Sequence, residues 1–307
     1  MVSPQGLLRG LREPQRIRSA VTRKLLQYNR KFTYWHNGVD YFPYGIDIFE
    51  QDWDNLVLLD ACRYDSYSAQ DILQGDLRKV HSQGSMSSEF VRGNFRNQDL
   101  LDVVYVSANY WYELLLDDLD ATIYKFVKVE RDAYDDTTTR AESVTEAART
   151  ANERYPNKRL IVHYLQPHSP YFHETGEEWF RLPAVERPEL LVREDQDREQ
   201  IKRAYQENLR YVLREVDRLL PDLVGKTVIS SDHGELLGEW LIPGVLRKYD
   251  HPEGYHVDEL LEVPWDVHHT GERKTIEEAT GCERDSGGGD DDSSATENLL
   301  ELGYIVE

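Results

Sequence analysis

Two apolar runs, each closing on an acid, constrain this chain more than any other feature. Asn55 to Asp60 is one such run; Thr227 to Ile229 is the other, and it passes through two serines into Asp232, His233 and Gly234. Short continuous apolar runs bounded by turn residues read as strands buried on both faces, which belong to parallel sheets covered by helices on either side. The fold expected is therefore α/β, with three layers around a mostly parallel central sheet. In open sheets of this kind ligands bind beyond the carboxyl ends of the strands. Asp60, Asp232 and His233 then converge on one sheet edge. Two carboxylates and an imidazole make a mixed oxygen and nitrogen set that suits one divalent metal ion, with Mn, Mg, Ca and Zn not distinguished. Asp232 taken alone reads equally as a helix cap, since the sequence predicts a helix from about Glu235.

The spacing of these residues resembles a known family. Asp60, Arg63 and Asp65 form an Asp-x-x-Arg-x-Asp at the end of the first strand, and Ser231 to Glu239 reads Ser-Asp-His-Gly-Glu-x-x-Gly-Glu. Between them stands His168-Ser-Pro-Tyr171, and beyond them Val263-Pro264 and a terminal Leu-Gly-Tyr ending at Tyr304. In that order, across about residues 50 to 304, the chain resembles the sulfatase-like branch of the alkaline phosphatase superfamily.

The resemblance implies an alkaline-phosphatase-like three-layer sandwich with a metal at Asp60, Asp232 and His233. It also implies a hydroxyl nucleophile at a helix start following the first metal Asp. Ser85, Ser87 and Ser88 are the candidates. The lipoteichoic-acid-synthase branch has its nucleophile four residues before Glu-Phe, which favours Ser85 before Glu89 and Phe90; a placement nearer the helix selects Ser87. Serines in such a turn also serve as helix caps. His168 inherits a role at the substrate's charged group or leaving oxygen, as an orienting group or general acid. Gln166 stands where many relatives have Asp, which removes one ligand or charge.

Arg63 either grips a phosphate oxygen or braces Asp65, and bracing is the preferred reading. His251 and His256 are candidate substrate contacts, or else loop histidines facing solvent. His163 reads as a core strand residue. Two-metal relatives carry an Asp four residues before a His; Tyr164 occupies that position before His168, so a single metal is expected. The turn carries no formylglycine signature, and Cys62 lies directly after Asp60 rather than in it. The function implied is a metal-dependent phosphoester hydrolase or phosphotransferase using a serine nucleophile on an anionic ester, glycan- or lipid-linked. The alternatives are a sulfate or phosphonate ester hydrolase of the same fold and a non-catalytic anion-binding protein.

Charge narrows the partners. The 57 acidic residues outnumber 36 Lys and Arg, giving a formal charge of −21. Such an acidic surface predicts a salt-rich cytoplasm and argues against nucleic-acid binding, which needs a basic face. Two cysteines make no disulfide framework and fit a reducing compartment. With no membrane-length apolar run and no signal-peptide core at its start, the chain is expected to be cytoplasmic.

Residues 1–31 form a basic arm, read as an amphipathic helix broken at Pro14 that lies on an anionic membrane surface or packs on the acidic body. The catalytic domain is placed at 32–283. Within it, the aromatics from Phe32 to Trp53 are read as a layer over the sheet edge. Helices are expected over Ser66 to Leu73, Thr139 to Arg154 and Asp195 to Leu220. The last has a buried stripe at Ile201, Tyr205, Leu209, Val212, Val216 and Leu219. Asn109 to Tyr112 is a loop that lines the site. An acidic flexible linker at 284–297 and a docking segment at 298–307 close the chain.

Overall fold

The computed structural model describes residues 14–130, 138–172, 175–176, 195–242 and 246–283. The linker, the docking segment and the first part of the basic arm lie outside the described residues.

Helix α1 (Pro14–Asn37) is followed by β1 (Asn55–Asp60), α2 (Tyr64–Ser68), β2 (Asp76–His81), α3 (Ser87–Phe95) and β3 (Asp99–Ser107). Two single-turn helices, α4 (Trp111–Leu114) and α5 (Leu116–Leu119), then lead to β4 (Thr122–Lys128), α6 (Ala141–Arg154) and β5 (Arg159–Pro167). The chain continues through α7 (Asp195–Leu219), β6 (Gly225–Ser231), β7 (Leu236–Ile242), β8 (Leu246–Asp250), α8 (Asp258–Leu261) and β9 (Glu262–Thr270).

Seven strands form one sheet in the order β2-β9-β6-β1-β5-β3-β4. β9 runs antiparallel to both β2 and β6, and every other pairing is parallel. The mostly parallel sheet is therefore as expected. β1 sits between β5 and β6, with Leu58 in register with His163 on one side and Ser230 on the other.

Every residue of β1 is buried, which is why its sequence does not alternate. Val57 and Leu59 face a core made with α6 and α7, where Val144, Ala148, Leu209, Val212 and Val216 pack. Leu56 and Leu58 face the opposite core, with Phe90, Phe95, Tyr105 and Trp265. The layers are thus helix, sheet and helix. All six positions of the stripe expected on α7 are buried.

Three expectations are corrected. No helix starts at Glu235: Leu236–Ile242 is strand β7, paired antiparallel with β8. Gly234 gives its N–H to the carbonyl of Leu260, and a side chain there would strike the Glu259 carbonyl; Gly238 sits at φ 93°. Both features turn the backbone away from a helix. The helix expected over Ser66 to Leu73 is a short one ending at Ser68. Of the basic arm, the described part lies in α1, which runs from Pro14 to Asn37 with Pro14 at its first position, where a missing N–H costs nothing. The aromatics do not form one covering layer. Trp53 is buried, whereas Phe32, Trp35 and Tyr44 face solvent.

Candidate functional site

The carboxyl ends of β1, β5 and β6 lie side by side, and the expected residues meet there. Asp60 closes β1, and Asp232 and His233 follow β6 directly. All three are fully buried. Asp60 Oδ1 lies 3.5 Å from His233 Nε2, and Asp232 Oδ2 lies 3.5 Å from the same nitrogen. His233 Nδ1 is 2.7 Å from the Gly234 carbonyl, which fixes the ring with Nε2 turned to the carboxylates.

The turn behind this edge is tied down by serines. Ser231 Oγ bonds the carbonyls of Leu59 and His233 and accepts from the Cys62 N–H, so the ends of β1 and β6 are stitched together. Ala61 takes φ 62°, gives its N–H to Asp232 Oδ1 and receives the Tyr205 hydroxyl on its carbonyl. The acid at each strand end is thereby held in place by backbone donors or by its neighbour.

Helix α3 brings the hydroxyl. Ser87, its first residue, donates to Asp232 Oδ2 at 2.6 Å and stands 3.3 Å from His233 Nε2. Asn109, just past β3, donates from Nδ2 to Asp60 Oδ2 and to Ser87 Oγ, both at 3.0 Å. Asn109 thus belongs to the site, in the loop expected to line it. Ser85 does not join this group. Its hydroxyl lies with the carboxylate of buried Glu89 and the Pro252 carbonyl, and its N–H also goes to Glu89. Ser85 thus lies in the turn before α3, bound to Glu89, and Ser88 Oγ has no hydrogen-bond partner among the described residues.

His163 is the residue the sequence did not single out. It is fully buried, accepts or donates at Nδ1 with the Tyr105 hydroxyl at 2.8 Å, and presents Nε2 at 3.6 Å from Asp232 Oδ2 with no hydrogen bond of its own among the described residues. The signal was parity: His163 is in register with Leu58, two residues before Asp60 on the same face of the sheet.

Two buried carboxylates this close are costly unless positive charge lies between them. Burial pushes the pKa of Asp232 up, and His233, His163 and the Ser87 hydroxyl outweigh it and hold the group ionised. Burial lowers that of His233, against the pull of the Asp232 carboxylate. The ligand atoms of Asp60, His163 and Asp232 all lie within 4.8 Å of one another. Ligand separations of about 3.4 Å are what tetrahedral bonds of about 2.1 Å produce, so the donor set fits a divalent ion.

A second group adjoins it. His168, Glu235 and His251 come from three separate segments, all buried, with ligand atoms again within 4.8 Å of each other. His251 Nδ1 is 3.1 Å from Glu235 Oε2, and its ring centroid lies 4.9 Å from that of His168 and 4.5 Å from that of His233. Burial raises the pKa of Glu235 to about 7, and burial with the neighbouring His251 lowers that of His168 to about 4. Spacing within one segment could not reveal this second acid and imidazole group.

The remaining expected residues lie outside both groups. Arg63 pairs with Asp65 at 2.6 Å and Glu239 at 2.8 Å and donates to the Glu235 carbonyl, so it braces the turn. Burial pulls its pKa down; the two acids outweigh that and hold it up. His256 pairs with Glu89 at 3.1 Å, beside Ser85 rather than among Asp60, Asp232 and His233.

The chain matches no protein-family model and no curated protein. Among solved structures it is similar to the C-terminal periplasmic domain of a phosphoethanolamine transferase from Campylobacter jejuni, at 15% identity over 70% of this chain and 78% of that one, TM-score 0.44. The corresponding Escherichia coli domain, in complex with Zn, is 12% identical over 73% and 76%, TM-score 0.44. A 2-O GAG sulfatase is 12% identical over 73% of this chain and 65% of that one, TM-score 0.44.

Proposed function

We propose that the protein is a metal-dependent phosphoester hydrolase or phosphotransferase with Ser87 as its nucleophile. One observation carries the reading: the Ser87 hydroxyl sits at the start of α3 between the Asp232 carboxylate and the Asn109 amide, in contact with His233. Asp60, Asp232 and His233 would hold the metal, with Ser87 as a further ligand, and His163 stands 3.6 Å from Asp232. A divalent ion bound there supplies positive charge that favours the ionised hydroxyl and offsets charge on the transferred group.

The residues of the chain do the rest. Ser87 Oγ, already sharing its proton with Asp232 Oδ2, attacks phosphorus as the bond to the leaving oxygen breaks. The positive end of α3 favours the alkoxide. His168 and His251, in the adjoining group, orient the ester, and Glu235, whose pKa burial raises to about 7, supplies the proton that the leaving oxygen takes up. Asn109 keeps Asp60 and Ser87 in line. Water or an alcohol then attacks the phosphoserine and frees the enzyme.

The acidic composition supports a salt-rich cytoplasmic setting, and basic α1 supports a lipid- or glycan-linked substrate at a membrane surface. The test is metal-supplemented turnover of phosphate monoesters, phosphodiesters and sulfate esters in high salt, wild type against Asp232→Ala. Phosphate-ester turnover lost in the variant is the expected result. Turnover that survives in Asp232→Ala, or is confined to sulfate esters, sinks the proposal. Metal binding without turnover leaves an anion-binding protein.

A further inference from the structure

Helix α1 carries an apolar row that nothing in the described structure covers. Val21, Leu25, Tyr28, Phe32 and Trp35 follow one another at steps of four, three, four and three, and each is between 44% and 77% exposed. That spacing keeps all five on one face of the helix. Beside it stand Arg23, Lys24 and Lys31, also exposed, and from Pro14 to Asn37 there is no acidic residue. In a chain of formal charge −21, this face is basic and apolar together.

We infer that this face docks on an anionic lipid surface. The same four-three spacing also describes a coiled-coil seam, so a second copy of the chain is the rival occupant. The flanking charges decide between them. Lys24 and Lys31 precede Leu25 and Phe32, and in a parallel pair they would meet Asn29 and His36 of the other copy. In an antiparallel pair lysine would meet lysine. No acid on the helix answers them, whereas anionic headgroups do. The aromatics suit the same partner, since Tyr and Trp rings favour the boundary between headgroups and acyl chains. No helix among the described residues is long and apolar enough to cross a membrane, so the contact lies along the surface.

The opposite face of α1 ties this surface to the site. Asn29 donates to the Gly254 carbonyl at 2.8 Å, and Arg30 pairs with Glu253, which also holds Arg92 of α3 at 3.0 Å. Gly254 sits at φ 73°, and a Cβ there would stand 2.9 Å from Arg30 Cα, so only glycine permits this approach. The tied loop has His251 of the second acid and imidazole group at one end and His256 at the other. A docked helix therefore holds this loop one helix diameter, about 10 Å, from the lipid surface. Headgroup phosphoesters are then the substrate class presented, a clause that rests on the proposed function; the docking itself does not.

The experiment is co-sedimentation of the full chain with vesicles of phosphatidylcholine alone or mixed equally with phosphatidylglycerol. Partition at least tenfold stronger on the mixed vesicles is expected. Phe32→Glu with Trp35→Glu, and separately Lys24→Glu with Lys31→Glu, should each reduce it at least tenfold while leaving the melting temperature unchanged. Trp35→Phe should keep partition but lose the blue shift of tryptophan fluorescence that accompanies it. Wild-type protein that stays in the supernatant overturns the inference, as does partition that neither pair of charge reversals weakens. A dimer in sedimentation velocity that Phe32→Glu with Trp35→Glu dissolves, with no vesicle binding, assigns the face to a second copy. No ester is turned over in these measurements, so they stand or fall apart from the proposed catalysis.

Discussion

Ser87 Oγ donates to Asp232 Oδ2 at 2.6 Å, although the two residues are 145 positions apart in the chain. Ser85, only two positions away, spends its hydroxyl on Glu89 and the Pro252 carbonyl. The two serines therefore separate into distinct roles that mutagenesis can read.

Ser87→Ala should lower phosphate-ester turnover by at least about a thousandfold with little change in melting temperature, because it removes the attacking group and leaves the core packed. Ser85→Ala should do the reverse. It keeps turnover within about tenfold and lowers stability by about 1 kcal/mol, since buried Glu89 loses the Ser85 hydroxyl bond. Steady-state rates and thermal melts of both variants check this; equal rate losses would remove the distinction.

Asn109 touches both Asp60 and Ser87 without being a ligand in the proposed site. Asn109→Ala should weaken metal affinity or turnover about 10- to 100-fold, as loss of a ligand's supporting hydrogen bond does elsewhere. Metal titration by calorimetry, with melting temperature as a control, measures it.

Stripping the metal should destabilise the fold, because Asp60 and Asp232 are both fully buried beside each other. Chelator dialysis is expected to lower the melting temperature, and added divalent ion to restore it. An unchanged melting curve across both steps would argue that no ion resides there.

Arg63 joins Asp65 and Glu239 across the turn after β1. Arg63→Ala should cost about 1–3 kcal/mol of stability, the lower part of that range reflecting the exposed Asp65, and should leave KM for soluble esters unchanged. Arg63→Lys should recover only part of the loss, since an ammonium cannot fork to two carboxylates. A large KM rise in Arg63→Lys would instead place the guanidinium on the substrate.

Lys274 offers a pH test remote from the site. Its ammonium donates to Asn152 at 2.9 Å and to the Lys158 carbonyl at 3.3 Å, and burial lowers its pKa to about 8. The unfolded chain keeps that proton up to about pH 10.4. Between those values the unfolded state binds more protons, so the contribution of Lys274 to stability rises with pH. Denaturant midpoints measured across that window should climb more steeply for wild type than for Lys274→Met; parallel curves would contradict the burial effect.

The sequence by itself determined the parallel sheet, the buried stripe of α7 and the meeting of Asp60 with Asp232 and His233. Each of these is local: an apolar run fixes a strand, a three-to-four spacing fixes a helix face, and parallel strands put their last residues on one edge. Tertiary structure decided the rest. Ser85 and Ser87 are the same residue type in one turn, and only the start of α3 turns one hydroxyl to Asp232 and the other to Glu89. His163 looked like strand filling until the pairing with β1 set it two residues behind Asp60 on the same face. The helix expected after Gly234 gave way to β7 because the Glu259–Leu260 backbone lies against that glycine. His168, Glu235 and His251 gather from three segments. Periodicity records how a segment uses its own side chains, whereas register and close approach between distant segments appear only once the chain is packed.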